Sequence, residues 1–303
     1  MSLKKNQIFE TTIENLSSDG SGVAHVEGQA VFVPGAAPGD VIRCRIVKAL
    51  KSYAFGRIDA ILAPGPGRVA PDCAVCTPCG GCGLRHLSYA TECEAKTGFV
   101  RDAFARLGGF DVSSFEFSPV LALTDHTAHY RNKVQLPVGL DADGHVVTGF
   151  YAGRTHRIVP CPDCKLQPEW MNALARRACA LLEANGIAPY DEETGRGTLR
   201  HVLVRRGWRS GEILVVLVTA HGMLPGKRNF VRALLQRHPD ITTIVQNINA
   251  GQTSLVLGPH SEVLYGPGYI REQLGDFTFR ISPRAFYQIN PVQTEVLYRT
   301  ALD

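Results

Sequence analysis

The segment CAVCTPCGGC, residues 73–82, places four of the nine cysteines of this 303-residue chain within ten positions. A second pair, Cys161 and Cys164, lies much further along the chain. The N-terminus lacks the apolar stretch of a secretory signal, so we predict a cytoplasmic protein whose thiols stay reduced. In that setting, clustered cysteines indicate a metal or iron–sulfur site rather than disulfides. The fold is therefore expected to bring distant thiolates together.

Three arrangements of the cysteines are compatible with their spacing. Two zinc knuckles would combine one C-x2-C pair of the cluster with Cys161 and Cys164, although the gap is long for a compact zinc ribbon. A ferredoxin-like run is a poorer match, because two residues rather than three separate Cys79 from Cys82 and no proline follows. The third arrangement is C-x5-C-G-G-C with one remote cysteine, which leaves Cys76 without a role as a ligand.

Composition limits the classes of protein that need to be considered. The chain is 45% hydrophobic and 20% charged, which is typical of a globular protein and argues against disorder or a coiled coil. A formal charge of +4 permits nucleic-acid binding without requiring it. The apolar runs are too short to span a bilayer, so we predict no membrane association.

The order of patterns predicts an α+β protein. Residues 8–62 alternate between apolar runs and turn signals, which predicts an OB-like β-barrel of about five strands, followed by a Pro/Gly-rich connector. Beyond it we predict a mixed α/β domain. Its expected elements are helices over 88–107, 168–184 and 227–238, hairpins over 199–220 and 241–258, a strand over 276–282, and a helix capped by Asn290. We place the domain boundaries at 1–64, 65–282 and 283–303.

The cysteine pattern and several further motifs resemble one known family. C-x5-C-G-G-C with a later single cysteine is similar to the cluster motif of the bacterial RNA uracil-C5 methyltransferases of the RlmD/RumA type, which act on 23S ribosomal RNA and are related to the tRNA enzyme TrmA. The resemblance extends along nearly the whole chain. Its other motifs are DGSGVAHVEGQAVFVPGAAPGD (19–40), YRNKVQLPV (130–138), GFYAGRTHRIV (149–159), LRHVLVRR (199–206), IVQNIN (244–249) and ISPRAFYQINPVQTEVLY (281–298).

This resemblance implies a ligand set and an RNA-binding surface. The barrel would be a TRAM domain, and Cys73, Cys79 and Cys82 would hold a [4Fe–4S] cluster. As the fourth ligand we favour Cys164 over Cys161, because Cys-Lys-Leu-Gln at 164–167 is closer to the family pattern. The candidate RNA-binding residues outside the last loop are Arg45 and Lys51 in the barrel and Arg131 and Lys133 in the motif YRNK.

The loop before the last predicted helix is expected to line the substrate and cofactor cleft. Phe286, Gln288 and Asn290 alternate there, so they could point to one side. Under the resemblance, Phe286 stacks on RNA bases and Gln288 contacts S-adenosylmethionine. The cofactors implied are therefore the [4Fe–4S] cluster and S-adenosylmethionine.

The implied reaction adds a methyl group to C5 of a uridine in 23S ribosomal RNA, after a cysteine thiolate has added to C6. No cysteine here has the context of the family's nucleophile, and no glycine-rich segment lies between a predicted strand and helix. We therefore predict no catalytic residue in this chain. We expect residues 283–303 to be the linker and first helix of a Rossmann-like methyltransferase domain, and the chain to be monomeric and inactive alone. The alternatives are a tRNA uracil-C5 methyltransferase and a non-catalytic, RNA-binding iron–sulfur module.

Overall fold

A computed structural model describes residues 3–153, 155–252 and 254–303. The chain divides into two compact units. The first comprises Met1–Cys76 and Gly81–Thr124, and the second Thr77–Gly80 and Asp125–Asp303. The mixed α+β class predicted from the sequence is confirmed. The predicted boundaries after residues 64 and 282 stay predictions.

The first unit is built on a six-stranded sheet with the order β1-β5-β6-β4-β3-β2. Apolar side chains on one face of these strands, among them Val31, Ile42 and Cys44, share a single buried core, as they would in a sheet that curls around its own interior. The alternating sequence therefore predicted these strands correctly, with one more than expected. They are β1 (Ile8–Thr12), β2 (Asn15–Leu16), β3 (Ser21–Val26), β4 (Gln29–Pro34), β5 (Val41–Ala49) and β6 (Tyr53–Ala63).

The helix predicted over residues 88–107 is present, and its Phe99 packs, partly buried, against a small cluster of Leu16, Ala37 and Leu87. Helix α1 (Tyr89–Asp102) begins at Ser88, whose hydroxyl accepts a hydrogen bond from the Thr91 amide at 3.2 Å, and a π-helical turn (Ala103–Leu107) extends it. No residue of α1 is fully buried. Its C-terminal end instead contributes to an aromatic cluster formed by Phe104, Phe110, Phe115 and Phe117.

The second unit contains a seven-stranded sheet with the order β13-β12-β11-β10-β7-β8-β9. Helices α2 and α3 pack on one face of this sheet, and the hairpin β14-β15 packs on the other. The predicted hairpin of β10 and β11 and the helices near 168–184 and 227–238 are confirmed. The elements are β7 (Lys133–Leu140), β8 (Val146–Tyr151), β9 (Ile158–Pro160), α2 (Glu169–Ala184), β10 (Leu199–Arg206), β11 (Ile213–Thr219), α3 (Lys227–Arg237), β12 (Ile241–Ile248), β13 (His260–Tyr265), β14 (Ile270–Leu274), β15 (Phe277–Ile281) and α4 (Pro291–Leu302). Within the described ranges, no helix has both the length and the apolar character needed to cross a membrane.

The second predicted hairpin is wrong. Strand β12 runs parallel to β11, and its antiparallel partner is β13 rather than residues 252–258. The described part of that segment contains no strand, and side chains bind its backbone instead. The Asn249 amide donates to the carbonyl oxygens of Leu255 and Val256 at 2.7 and 3.1 Å, which satisfies backbone groups that a hairpin would have paired.

Candidate functional site

The loop before α4 presents two side chains that the protein does not use for its own packing. Phe286 is 85% exposed. Gln288 is half-buried, and its carboxamide makes no hydrogen bond to any residue that the structure describes. The loop is not a strand, and Asn290 does not join the two as a third free group, because its side chain caps α4 by accepting from the Gln293 amide at 3.1 Å. Phe286 and Gln288 therefore remain the free side chains of this motif.

Two residues, one just before β7 and one on β10, donate hydrogen bonds to the backbone of the same loop. Asn132 donates its backbone amide to the carbonyl of Ile289 and its side-chain amide to that of Gln288, both at 3.0 Å. Arg205 donates through Nη1 to the carbonyl of Ala285, also at 3.0 Å. These bonds fix the main chain on either side of the two free side chains, which is the arrangement a preformed binding loop requires.

Arg205, which contacts this loop, is one of three neighbouring cationic side chains. The β7–β10 register places Lys133 directly opposite Arg205, and Arg131 precedes Lys133 by two residues. Burial lowers the pKa of Lys133, and the charges of Arg205 and Arg131 lower it further. Burial also lowers the pKa of Arg205 to about 10. Arg131 and Lys133 were predicted from the sequence, whereas Arg205 was not, because an arginine at the end of an apolar strand usually faces solvent.

The candidate residues in the barrel differ in how far their charge is available. Arg45 is engaged by Asp59, with Nε and Nη2 at 2.8 and 2.6 Å from the carboxylate, and Arg57 lies 3.3 Å from the same group. Lys51 is exposed in the turn between β5 and β6. The structure therefore leaves Lys51 as the better candidate for a phosphate contact.

An aromatic face accompanies these cations on the outside of the barrel. Phe32, Tyr53 and Phe55 lie with their ring centroids 5.6–6.0 Å apart, and Lys48 is directly opposite Phe55 in the sheet. Phe55 does not belong to the barrel core and packs instead against these two rings on the outer face. The sequence did not indicate Phe32, because its aromatic neighbours are far away along the chain and come close only through the parallel pairing of β4 with β6.

The predicted metal ligands fall in both units. Cys73 and Cys82 belong to the first unit and are partly buried. Asp72 raises the pKa of Arg85, and the Cys82 and Cys73 thiols add to that effect, so both sulfurs lie near this guanidinium. Cys79 belongs to the second unit. The adjacent Gly80 donates to the Tyr151 carbonyl at 3.2 Å, an approach that a side chain at this position would crowd.

Cys161 and Cys164 form a contacting pair within the second unit. The hydrogen bond from Cys161, together with bonds from the amides of Leu166 and Gln167, lowers the pKa of the Cys164 thiol to about 6. The nearby charge of Arg131 acts in the same direction. A thiolate is therefore favoured at Cys164, which suits a metal ligand but does not by itself identify one.

The [4Fe–4S] prediction gains no support from the structure. In the described residues, no three His, Cys, Asp or Glu side chains are arranged to hold a metal ion. The ligand set Cys73, Cys79, Cys82 and Cys164 thus remains a prediction from the sequence. Of the three scattered cysteines, which the sequence predicts to be small buried apolar residues, Cys44 and Cys179 are buried but Cys93 is only half-buried. Burial raises the pKa of the Cys44 and Cys179 thiols to about 11 and about 12.

Comparison with known proteins agrees with this architecture. Residues 3–58 match the TRAM domain family. Over 301 residues, which are 99% of the chain, it is 41% identical to an uncharacterised RNA methyltransferase of Halalkalibacterium halodurans and 39% identical to one of Bacillus cereus. Among solved structures, the Pyrococcus abyssi tRNA (uracil-54, C5)-methyltransferase in complex with S-adenosyl-L-homocysteine is similar over 97% of the chain, with 25% identity and a TM-score of 0.70.

These similarities relate residues 3–58 to the TRAM domain and 99% of the chain to proteins named RNA methyltransferases. The resemblance to RNA methyltransferases that the sequence motifs indicated is therefore confirmed. The chain spans 65% of the length of the Halalkalibacterium and Bacillus relatives and 64% of the Pyrococcus enzyme.

Proposed function

We propose that this chain binds structured RNA and orients a uridine for S-adenosylmethionine-dependent methylation at C5, with 23S ribosomal RNA as the substrate. The similarity to RNA methyltransferases along 99% of the chain carries this proposal. The loop before α4 supports it, because its main chain is fixed while Phe286 and Gln288 are free to contact ligands.

Each free group on this loop suits a different part of the proposed complex. The ring of Phe286 would stack on an unstacked base, which is how proteins commonly read single-stranded RNA. The carboxamide of Gln288 offers both a donor and an acceptor to S-adenosylmethionine, which supplies the methyl group when bound. The aromatic face of the barrel, with Lys51 and Arg45 on neighbouring strands and turns, would bind a further stretch of the RNA.

Transfer RNA is the second candidate substrate, because the solved structure with a similar fold is described as a tRNA (uracil-54, C5)-methyltransferase. Methyl transfer from tritiated S-adenosylmethionine to undermodified 23S ribosomal RNA and to an unmodified tRNA transcript would separate the two substrates. We expect the 303-residue chain to bind RNA without transferring methyl groups, and the Halalkalibacterium relative, of which the chain spans 65%, to methylate the ribosomal substrate. RNA binding by both proteins without methylation of either substrate would favour a non-catalytic RNA-binding module.

Replacing Phe286 with alanine should weaken binding to single-stranded RNA by about 5- to 150-fold, the equivalent of 1–3 kcal/mol for one stacked base. Fluorescence anisotropy with a labelled uridine-containing oligonucleotide would measure the change. Phe277→Ala is the matched control, because Phe277 is also a highly exposed phenylalanine of this unit but lies on the β14-β15 hairpin. Equal losses in the two variants would show that Phe286 has no special role.

Anaerobically purified protein should contain about four irons and absorb in the visible range, if the resemblance is right about the cluster. Cys79→Ser should lose this iron, whereas Cys93→Ser, at a half-buried position on α1, should retain it. Iron and zinc analysis together with the visible spectrum tests both variants. A colourless protein with one zinc would replace the iron–sulfur assignment with the zinc alternative.

A further inference from the structure

Two cations, Lys133 and Arg205, share one face of the seven-stranded sheet in the second unit, and a third, Arg131, lies just before strand β7. Residues directly opposite each other on antiparallel strands point to the same side, so Lys133 and Arg205 face the same way. Arg131 precedes Lys133 by two residues, and its charge acts on Lys133. Like charges in directly opposed positions are destabilising unless something else compensates them.

No carboxylate in the described part of the chain forms an ion pair with any of the three. Arg205 is only 2% exposed, and its Nε has no hydrogen-bond partner among those residues. The buried Nε of Arg131 has no such partner either. Arg200 on the same strand shows the usual solution. It is nearly as buried and its Nε also lacks a partner, but Glu192 lies 2.5 Å from its Nη2 and the carbonyls of Asn249 and Gly251 accept from its Nη1.

A buried guanidinium without a counter-ion is costly, and because buried charges in proteins are normally paired, this one is a candidate site for an anion. A phosphate group suits this set of donors. Its several oxygens can accept from two guanidinium groups and one ammonium at the same time, and arginine matches its geometry with paired N–H donors. Lys133 and Arg131 are only half-buried, so an anion can reach them from solvent.

We propose that Arg131, Lys133 and Arg205 form a binding site for one backbone phosphate of the RNA, which rests on the proposed function for the source of that phosphate. Arg205 also holds the carbonyl of Ala285, next to Phe286. The same residue thus links the bound phosphate to the loop that would stack on a base. One nucleotide would be fixed by its phosphate and an adjacent base by its ring.

Lys133→Met is the most direct test, because Lys133 makes no side-chain hydrogen bond to any described residue and methionine has a similar length. In a phosphate-free buffer the variant should melt at a higher temperature than the unchanged protein, because it removes repulsion with Arg205 and Arg131. Inorganic phosphate should raise the melting temperature of the unchanged protein more than sodium chloride of equal ionic strength does. This additional rise, the phosphate increment, should be absent in the variant.

Arg206→Gln is the matched control. This substitution also removes one positive charge, but Arg206, which follows Arg205 on β10, lies on the opposite face of the sheet. There it stacks on Trp170 of α2, with 5.4 Å from Cζ to the ring centroid. It should keep the phosphate increment. A wild-type protein that phosphate does not stabilise, or a Lys133→Met variant that keeps the increment, would overturn the site.

RNA binding separates this proposal from the proposed function. For single-stranded RNA, Lys133→Met should reduce the slope of log affinity against log salt by about 0.7, the loss of one phosphate contact. An unchanged slope beside a lost phosphate increment would contradict the assignment of the phosphate to RNA.

Two further outcomes separate the anion site from the proposed function. If neither the unchanged protein nor the variants bind RNA but the phosphate increment behaves as described, the proposed function fails while the anion site stands. If S-adenosylhomocysteine, but not phosphate, gives an increment that depends on Lys133, the site belongs to the cofactor and the phosphate proposal is wrong.

Discussion

Asn247→Leu should lower the melting temperature of the second unit by about 6–12 °C, since each kcal/mol corresponds to about 2–4 °C in a unit of this size. Asn247 is fully buried on β12. Its amide donates to the carbonyls of Gly258 and His260 at 3.0 and 3.1 Å and to the Ser261 hydroxyl at 3.0 Å, while its Oδ1 accepts from the Gly258 amide at 2.8 Å. Leucine has the same branched arrangement of side-chain heavy atoms but leaves these buried groups without partners, at a cost of about 3 kcal/mol in the free energy of unfolding.

Thermal unfolding followed by circular dichroism measures this loss. Gln273→Leu is the control, because it makes the same kind of change at an exposed amide on β14 whose side chain donates only to the Gly275 carbonyl. It should alter the melting temperature little. If both variants melt at the unchanged temperature, solvent must reach the Asn247 site and replace its bonds.

Local signals predicted most of the elements because their cause is local. Ser88 and Asn290 cap helices α1 and α4 through side-chain oxygens, as the sequence indicated. Gly186 follows α2 with a left-handed φ of 66°, a conformation that favours glycine at a helix end. The barrel strands alternate because one face is buried. Such signals need no knowledge of the rest of the chain.

The hairpin error has a physical origin in β12. An apolar run such as residues 255–257 satisfies the pattern of a strand, and periodicity cannot show that Asn247 and Asn249 already bind that part of the chain. Both asparagines lie within the motif at residues 244–249. Buried asparagines in an apolar strand were the available clue, because an amide without partners would be costly there.

The candidate site was only partly predictable for a similar reason. Phe286 and Gln288 belong to one short motif, which the sequence alone identifies, and their proposed contacts to ligands stay predictions. Asn132, just before β7, and Arg205, on β10, donate hydrogen bonds to backbone carbonyls of that motif, although both are far from it in the sequence. Their role depends on the register between β7 and β10, which a single sequence does not specify.

Gly56→Ala should destabilise the barrel by about 1–3 kcal/mol, the usual cost of adding atoms to a packed core. A Cβ at this position on β6 would overlap the sulfur of Cys44, which is fully buried on β5, and would lie 3.3 Å from methyl groups of Val31 and Val33. Cys44→Ala removes that sulfur and leaves a small cavity, so it should also destabilise the barrel by roughly 1 kcal/mol.

The double variant Gly56→Ala/Cys44→Ala should be more stable than the sum of the two single effects predicts, because the new methyl group occupies the space left by the sulfur. A coupling of about 1 kcal/mol or more is expected for groups in direct contact. Urea unfolding of the four proteins, followed by fluorescence of Tyr53, the one tyrosine among residues 1–64, provides the cycle. Strict additivity would mean that the backbone of β6 moves away from β5 instead, and that the close packing of these strands does not require glycine.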